Sequence, residues 1–187
     1  MLHPERIIIT IDAEGVGKTL LELATELVGA AEAAHMVTHG ASGLIGDGPK
    51  SRGAGGCGGD ELTLRRPPQH GYAHLELQAT DICYEDAWLI AIHKRAGWYS
   101  SITPWDLAGN VPAALERYLL ARDGAVPPLH LAHRLDRDTS GVLLLSKDGR
   151  VNAPLLEAFR QGQVSKRYLG MCGGIPPESG DIQSGHG

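Results

Sequence analysis

The chain has 187 residues, which is enough for one or two domains with their own apolar cores. Its formal net charge of -5 argues against a strongly basic nucleic-acid coat, although a local basic face can still bind phosphates. The three cysteines form no CxxC pair, which argues against a zinc site and favours a reducing cytoplasmic environment. We expect neither a signal peptide nor a membrane span, because no basic leader or run of about 18 apolar residues occurs.

The first third of the chain predicts a small unit of mixed structure. Residues 7–11 are β-branched and predict a strand, and residues 20–28 repeat apolar side chains at helical spacing. Glycine is dense from residue 40 to 59, which predicts an irregular loop. Residues 60–64 alternate and predict a second strand, and residues 67–80 predict a linker.

One segment of this unit is similar to a phosphate-binding loop. Residues Gly15 to Thr19 read Gly-Val-Gly-Lys-Thr between a predicted strand and a predicted helix. The phosphate loop also requires a glycine where this chain has Asp12, and a carboxylate there would repel phosphate. The pattern therefore favours a simple turn with a solvated Lys18, and nucleotide binding is the least favoured function.

A second compositional unit begins near Asp81 and mixes predicted strands with predicted helices. Asn110 is a suitable N-cap, and Pro112 in the first turn supports a helix that continues to Arg122. The other predicted elements are strands at 88–92, 141–146 and 164–171 and a short helix at 153–161. This order favours an α+β fold with a mixed or antiparallel sheet and flanking helices.

A polar loop, residues 133–141, leads directly into one of these predicted strands. It reads His-Arg-Leu-Asp-Arg-Asp-Thr-Ser-Gly, so two carboxylates lie beside two arginines. A carboxylate kept ionised by neighbouring cations has the properties of a nucleophile or general base. Composition alone leaves a second interpretation open, in which the loop is a charged turn with internal salt bridges.

The order of residues in this loop resembles the central motif of the RluA-type RNA pseudouridine synthases. Upstream, residues 84–98 are similar to the opening strand and Lys-Pro-Ala-Gly turn of that family, with Arg95 in place of the proline. Downstream, Lys166-Arg167-Tyr168 is similar to the family's Lys-x-Tyr strand. The three segments occur in the family's order, and the resemblance covers about residues 81–174.

The resemblance implies a domain organisation. Residues 1–66 resemble in part the S4-like RNA-binding module, a small α/β unit often attached to this family, although its basic helix is missing. Residues 81–187 correspond to the N-terminal part of the catalytic domain. The family's domain continues past the Lys-x-Tyr strand to an Arg-Thr-His-Gln-type segment whose arginine pairs with the catalytic Asp, and residues 173–187 do not match it. We therefore expect a C-terminally truncated synthase of marginal stability and weak activity.

The resemblance also implies a reaction and the residues that perform it. Family members isomerise uridine to pseudouridine in structured RNA, such as ribosomal or transfer RNA, without a cofactor or metal. The matching catalytic carboxylate is Asp136, and Arg134 and Arg137 are the nearest cations that would keep it ionised. Arg134 would either fix the loop through an ion pair or bind a phosphate. The alternative is a non-catalytic RNA-binding remnant of such an enzyme.

Two further side chains are expected to contact the substrate. Tyr168 matches the family tyrosine that packs on the flipped base, although its position would otherwise suit the core of a strand. Lys166 would neutralise a phosphate or pair with a carboxylate. Lys94 is a weaker candidate for a contact with RNA.

Overall fold

Two antiparallel sheets with their associated helices organise the chain. The computed structural model describes residues 6–39, 42–45, 57–67, 72–175 and 178–180. The first sheet contains β1 (Arg6–Thr10), β2 (Ser42–Ile45) and β3 (Glu61–Arg65), and its helices are α1 (Leu20–Val28) and α2 (Ala30–His39). The second sheet contains β4 (Ile82–Glu85), β5 (Leu89–Lys94), β6 (His130–Leu131) and β7 (Gly141–Ser146), and its helices are α3 (Val111–Asp123) and α4 (Gly149–Arg160). The predicted α+β class with an antiparallel sheet is confirmed.

The N-terminal unit places β3 between β1 and β2, and both pairings are antiparallel. Helix α1 begins after Thr19, because the Thr19 hydroxyl accepts from the Glu22 amide while the Glu22 carboxylate accepts from the Thr19 amide. This reciprocal capping box satisfies two amides at the helix start. The core contains residues from both helices and from β3: Leu20, Leu23, Ala24, Ala33, Met36, Leu62 and Leu64.

Two elements of this unit differ from the sequence prediction. Helix α2 was not predicted, and it follows α1 immediately after Gly29. Strand β2 lies inside the glycine-dense segment where an irregular loop was expected, because it pairs with β3. Most of that segment lies outside the described residues. The resemblance to an S4-like module stays a prediction.

The second sheet has the order β4-β5-β7-β6 with antiparallel pairing throughout. Its two central strands bury Ile90, Ile92, Leu143 and Leu145. Helix α3 covers them with Val111, Ala114, Leu115 and Leu119. Asn110 caps this helix as predicted, since its side-chain oxygen accepts from the Ala113 amide at 3.1 Å. Leu75 and Leu77, within the predicted linker, are also buried in this second core.

Two predictions for the C-terminal part were wrong. Helix α4 begins at Gly149 and not at 153, because the Asp148 side chain caps it by accepting from the Arg150 amide at 2.8 Å. Residues 164–171 form no strand, and they are exposed with the exception of the half-buried Val164. A strand needs a hydrogen-bonding partner, and this segment joins neither of the described sheets. No helix within the described ranges is long and apolar enough to cross a membrane.

Candidate active site

A buried lysine fixes the backbone of the polar loop between β6 and β7. Lys94 ends strand β5 and is fully buried. Its ammonium group donates to the backbone carbonyls of Thr139 at 2.7 Å and Arg137 at 3.0 Å, with a longer contact of 3.4 Å to the carbonyl of Arg95. The expectation that Lys94 contacts RNA was therefore wrong, because Lys94 is buried and its ammonium group is hydrogen-bonded to the loop backbone.

The surroundings of Lys94 act on its pKa in opposite directions. Burial is the largest influence and lowers the pKa below its ordinary value, while the nearby carboxylates of Asp138 and Asp136 raise it. A buried ammonium group is tolerated because carbonyl oxygens replace its hydration shell. The two aspartates of the loop therefore lie within the electrostatic reach of a single fixed cation.

Ser100 fixes the residue immediately before Asp136. Its buried hydroxyl donates to the carbonyl of Leu135 at 2.6 Å and accepts from the Leu135 amide at 3.1 Å. This two-way contact satisfies both backbone polar groups of one loop residue. Nothing in the local sequence around Ser100 indicates this role, because the contact joins positions 35 residues apart.

The turn after β5 supports the same loop, and Arg95 has a structural role in it. The Gly97 amide donates to the carbonyl of Arg137 at 2.8 Å. Arg95, which replaces the family proline, donates through Nε at 3.0 Å and a terminal nitrogen at 2.7 Å to Asp81, whose carboxylate is almost fully buried. Its guanidinium also lies 5.3 Å from the centre of the Trp98 ring. An ion pair therefore anchors this turn at the position where the resembled motif has proline.

His133 anchors the start of the loop to strand β7. Its Nε2 accepts from the Leu144 amide at 3.2 Å, and its ring stacks on Phe159 with 4.9 Å between ring centres. An imidazole that accepts through Nε2 is neutral and carries its proton on Nδ1. Burial agrees with this state, because it lowers the pKa of His133 below its ordinary value.

Asp136 lines a cleft of about 320 Å³. One wall is the loop segment Arg134 to Arg137, and the other is the segment Tyr99 to Trp105. Asp136 is exposed, and among the described residues no side chain forms a hydrogen bond or ion pair with its carboxylate. The loop backbone is fixed while the acid group itself remains free to react.

The expected pairing of this carboxylate with the loop arginines is not observed. Arg137 instead pairs with the neighbouring Asp138 at 2.9 Å, and its guanidinium lies 5.8 Å from the centre of the Tyr99 ring. Arg134 is exposed and forms no ion pair with any described residue. Residues 136–139 form a turn, which is closed by the Thr139 amide donating to the carbonyl of Asp136 at 3.1 Å.

The structure divides the predicted site residues between two cavities. Arg134 and Asp136 line the cleft just described, whereas Lys166 and Tyr168 line a second cavity of about 740 Å³ together with Asp138. Leu135 contributes to the walls of both cavities. Tyr168 is 64% exposed, because the segment that carries it is not part of the sheet.

The resemblance to a phosphate-binding loop in the N-terminal unit gains no support from the geometry. The Asp12 carboxylate accepts from the amides of Glu14 and Gly15, each at 3.1 Å. Lys18 pairs with Glu26 at 2.7 Å. The donors that such a loop offers to phosphate are thus already occupied by carboxylates of this chain.

Comparison with known proteins identifies the family. Residues 88–186, more than half of the chain, match the family described as RNA pseudouridylate synthase. RNA pseudouridine synthase 1 of Oryza sativa subsp. japonica is 36% identical over 129 residues, which cover 68% of this chain and 36% of the rice protein. Ribosomal large subunit pseudouridine synthase D of Neisseria meningitidis serogroup B is 30% identical over 146 residues, covering 75% of this chain and 38% of that protein.

These matches define the class of protein by its family. The chain belongs to the RNA pseudouridylate synthase family, and the RluA-type resemblance of its central motif is confirmed. Among solved structures, human RNA pseudouridylate synthase domain containing 4 aligns with a TM-score of 0.39 and 29% identity, over 45% of this chain and 31% of that chain. The chain spans little more than a third of the two curated relatives.

Proposed function

We propose that Asp136 is the catalytic carboxylate of a site that isomerises uridine to pseudouridine in RNA. One observation carries this proposal: Asp136 has a free carboxylate on a loop whose backbone is fixed by Lys94 and Ser100. Asp138, the other acid of the loop, is paired with Arg137 and is 81% exposed. A reactive group needs a rigid support and an unoccupied side chain, and only Asp136 of the two has both.

The reaction requires a nucleophile or base and no change in composition. The bond from N1 of the base to C1′ of the ribose breaks, and a bond from C5 to C1′ forms. The C5 proton is released, and N1 gains a proton. Asp136 would act either by attack on the ribose or base or by removal of a proton, and both roles use the ionised carboxylate. The family resemblance implies that neither a cofactor nor a metal takes part.

Arg134 is proposed to bind the RNA backbone. Its side chain lies on the same cleft as Asp136 and is exposed, and it has no ion pair with a described residue. Of the two roles considered for it, a phosphate contact is therefore favoured over an ion pair that fixes the loop. A guanidinium binds phosphate oxygens in a bidentate manner, which suits this position beside the reacting nucleotide.

Lys166 and Tyr168 are proposed to contact the nucleotide that leaves the RNA stack. Flipping a base costs a few kcal/mol, and an aromatic ring in the pocket recovers part of that cost by stacking. Tyr168 presents a largely exposed ring to the larger cavity, and Lys166 supplies a cation beside it. Since Leu135 separates this cavity from Asp136, we infer that the segment 164–171 moves toward the loop when RNA binds.

The proposed partner is a structured RNA, ribosomal or transfer. The name of the Neisseria relative refers to the large ribosomal subunit, which favours ribosomal RNA as the first substrate to test. We also propose that residues 81–187 form the catalytic part and that residues 1–66 form the S4-like module. The negative net charge restricts RNA binding to local basic groups such as Arg134 and Lys166.

The decisive experiment is tritium release from RNA labelled with [5-³H]uridine. The product of the complete open reading frame that contains these residues is compared with its Asp136→Asn and Asp138→Asn variants. We expect Asp136→Asn to abolish release and Asp138→Asn to keep most of it. Equal loss in both variants, or loss only in Asp138→Asn, would exclude Asp136 as the catalytic residue.

The same proteins test the alternative of a non-catalytic RNA-binding remnant. RNA binding is measured by filter retention at fixed salt, because phosphate contacts weaken steeply as salt rises. Binding without isomerisation in the wild-type protein, unchanged in Asp136→Asn, would support the remnant. ATP binding abolished by Lys18→Ala would instead support the nucleotide-binding interpretation.

A further inference from the structure

His39 of the N-terminal unit contacts the segment that directly follows one wall of the Asp136 cleft. His39 ends helix α2, and its backbone carbonyl accepts from the Leu107 amide at 2.7 Å. Its ring Nδ1 lies 2.9 Å from Oδ1 of Asp106, which is fully buried. A carboxylate only accepts hydrogen bonds when ionised, so Nδ1 of His39 carries the proton of this contact. His39 thus holds the C-terminal end of the wall segment through both its backbone and its side chain.

Asp106 organises the chain around it. Its Oδ1 also accepts from the amides of Ala108 at 2.9 Å and Gly109 at 2.8 Å. Its backbone carbonyl accepts from the Thr103 amide at 3.0 Å, which closes a tight turn in the cleft wall. The His39 contact therefore reaches a carboxylate that shapes residues 103–109, and not an isolated surface group.

The wall then connects this carboxylate with the catalytic loop. Trp105 packs against the N-terminal core and meets Tyr99 edge-on, with 6.1 Å between ring centres. Tyr99 and Trp105 both line the Asp136 cleft, and the Arg137 guanidinium lies over the Tyr99 ring. These contacts, together with the backbone link between Trp105 and Asp106, join the end of helix α2 to the residue next to Asp136.

We propose that His39 is a positioning residue for the Asp136 cleft, acting through Asp106 to hold the wall segment 99–105 against the catalytic loop. This inference rests on the proposed function of Asp136. It gives the N-terminal unit a role in shaping the substrate cleft, separate from any RNA binding by that unit. Small displacements of groups that position a substrate reduce rates strongly, so loss of this contact should be visible in catalysis.

Two substitutions separate the hydrogen bond from the packing. His39→Phe keeps an aromatic ring against Tyr72, whose ring centre lies 4.6 Å away, and removes the donor. His39→Asn keeps an N–H donor close to the position of Nδ1 and removes the ring. Glu26→Ala is the matched control, because it breaks an exposed ion pair of the same unit far from the wall.

We expect His39→Phe to lower kcat/KM for uridine-containing RNA about tenfold. We expect His39→Asn and Glu26→Ala to stay within about twofold of the wild type. Wild-type activity in His39→Phe would overturn the proposal, as would equal losses in both His39 variants. If His39→Phe does not fold, Asp106→Asn weakens the same contact and should lower kcat/KM, and an unchanged value would overturn the proposal.

Amide hydrogen exchange gives a readout that does not depend on catalysis. His39→Phe should accelerate exchange at Leu107 and Asp106, while His39→Asn should leave both protected. An inactive wild-type protein would refute the proposed function, and the exchange rates would then decide by themselves whether His39 holds the wall. Unchanged exchange in His39→Phe would refute the positioning role.

Discussion

The ammonium nitrogen of Lys94 lies 2.7 Å from the carbonyl oxygen of Thr139, so a buried cation at the end of β5 closes the loop that carries Asp136. The same nitrogen binds the carbonyl of Arg137, on the other side of Asp138. Lysine therefore serves here as a three-donor clamp for backbone, a use that needs its full length and its charge. The hydrogen bonds of Lys94 therefore hold the loop backbone to the end of β5.

Lys94→Met should destabilise the protein by about 2–3 kcal/mol, because two buried carbonyls lose a charged donor while the side-chain volume is kept. Urea unfolding measures this free energy. Lys18→Met, which removes an exposed lysine paired with Glu26, is the control and should change stability by less than about 1 kcal/mol. A Lys94→Met protein as stable as the control variant would show that the clamp is dispensable.

Ser100→Ala should cost about 1–2 kcal/mol of stability and also reduce isomerisation, because the Leu135 backbone loses both of its contacts with this hydroxyl. Ser101→Ala is a close control, since Ser101 lines the same cleft. Tritium release and urea unfolding are measured on both variants. If the two alanine variants behave alike, the hydroxyl of Ser100 has no special role in positioning Asp136.

The burial of His133 predicts that the order of the loop depends on pH. Its folded-state pKa is lowered by burial, so folding favours the neutral imidazole. The stability that this group contributes is fully present above its unfolded pKa of about 6.5 and is lost as pH falls through the lower folded value. Protonation removes the acceptor of the Leu144 amide, so the protection factor of that amide, which corrects for the intrinsic pH dependence of exchange, should fall as the pH drops below the unfolded value of about 6.5.

The comparison for His133 is made with His133→Gln and His93→Gln. His93 is exposed, so its replacement should leave the acid-induced change at Leu144 intact. His133→Gln should abolish the change, because an amide side chain does not titrate. An acid-induced change that persists in His133→Gln would assign the effect to another group.

The ion pairs of Glu85 predict how the stability of the second sheet changes in acid. Arg122 and Lys147 bind its carboxylate at 2.7 Å and 2.6 Å and lower its pKa to about 2. The stability from this cluster is present above the unfolded pKa and is lost as pH falls through the folded value. Glu85→Gln should therefore cost about 1 kcal/mol at pH 7. The difference from the wild type should vanish near pH 2, and thermal melts across that range would show it.

Glu157→Gln is the control for this measurement, because Glu157 pairs with Arg160 on the exposed surface of one helix. We expect its unfolding temperature to follow the wild type at every pH. A Glu85→Gln protein that is no less stable than the wild type at pH 7 would contradict the assigned role of the cluster.

Local signals in the sequence predicted most of the elements that surround the site. The start of α3 was predictable because Asn110 and Pro112 both act on the first turn of the helix, which lies next to them in the sequence. Strand β7 was predictable because an apolar run directly follows the polar loop. From the sequence, Asp136 could be selected over Asp138 only through the resemblance to a family, since the residues that flank the two aspartates in the sequence are nearly the same.

The support of the site could not be predicted, because it depends on contacts distant in sequence. Lys94 meets carbonyls 43 and 45 residues away, and a charged residue in isolation suggests exposure. The prediction of a strand at 164–171 was wrong because it also depended on a contact distant in sequence. Its residues favour extended backbone, but pairing depends on a neighbouring strand that local sequence does not reveal.

Gly109 leaves the space that the Asp106 carboxylate occupies. A Cβ atom at residue 109 would collide with Oδ2 of Asp106 and lie 2.7 Å from the carbonyl oxygen of Ala73. Any larger residue at 109 would push the carboxylate away from His39. In orthologous chains we therefore expect glycine at 109 wherever aspartate stands at 106, and an aspartate at 106 beside a larger residue at 109 would contradict this expectation.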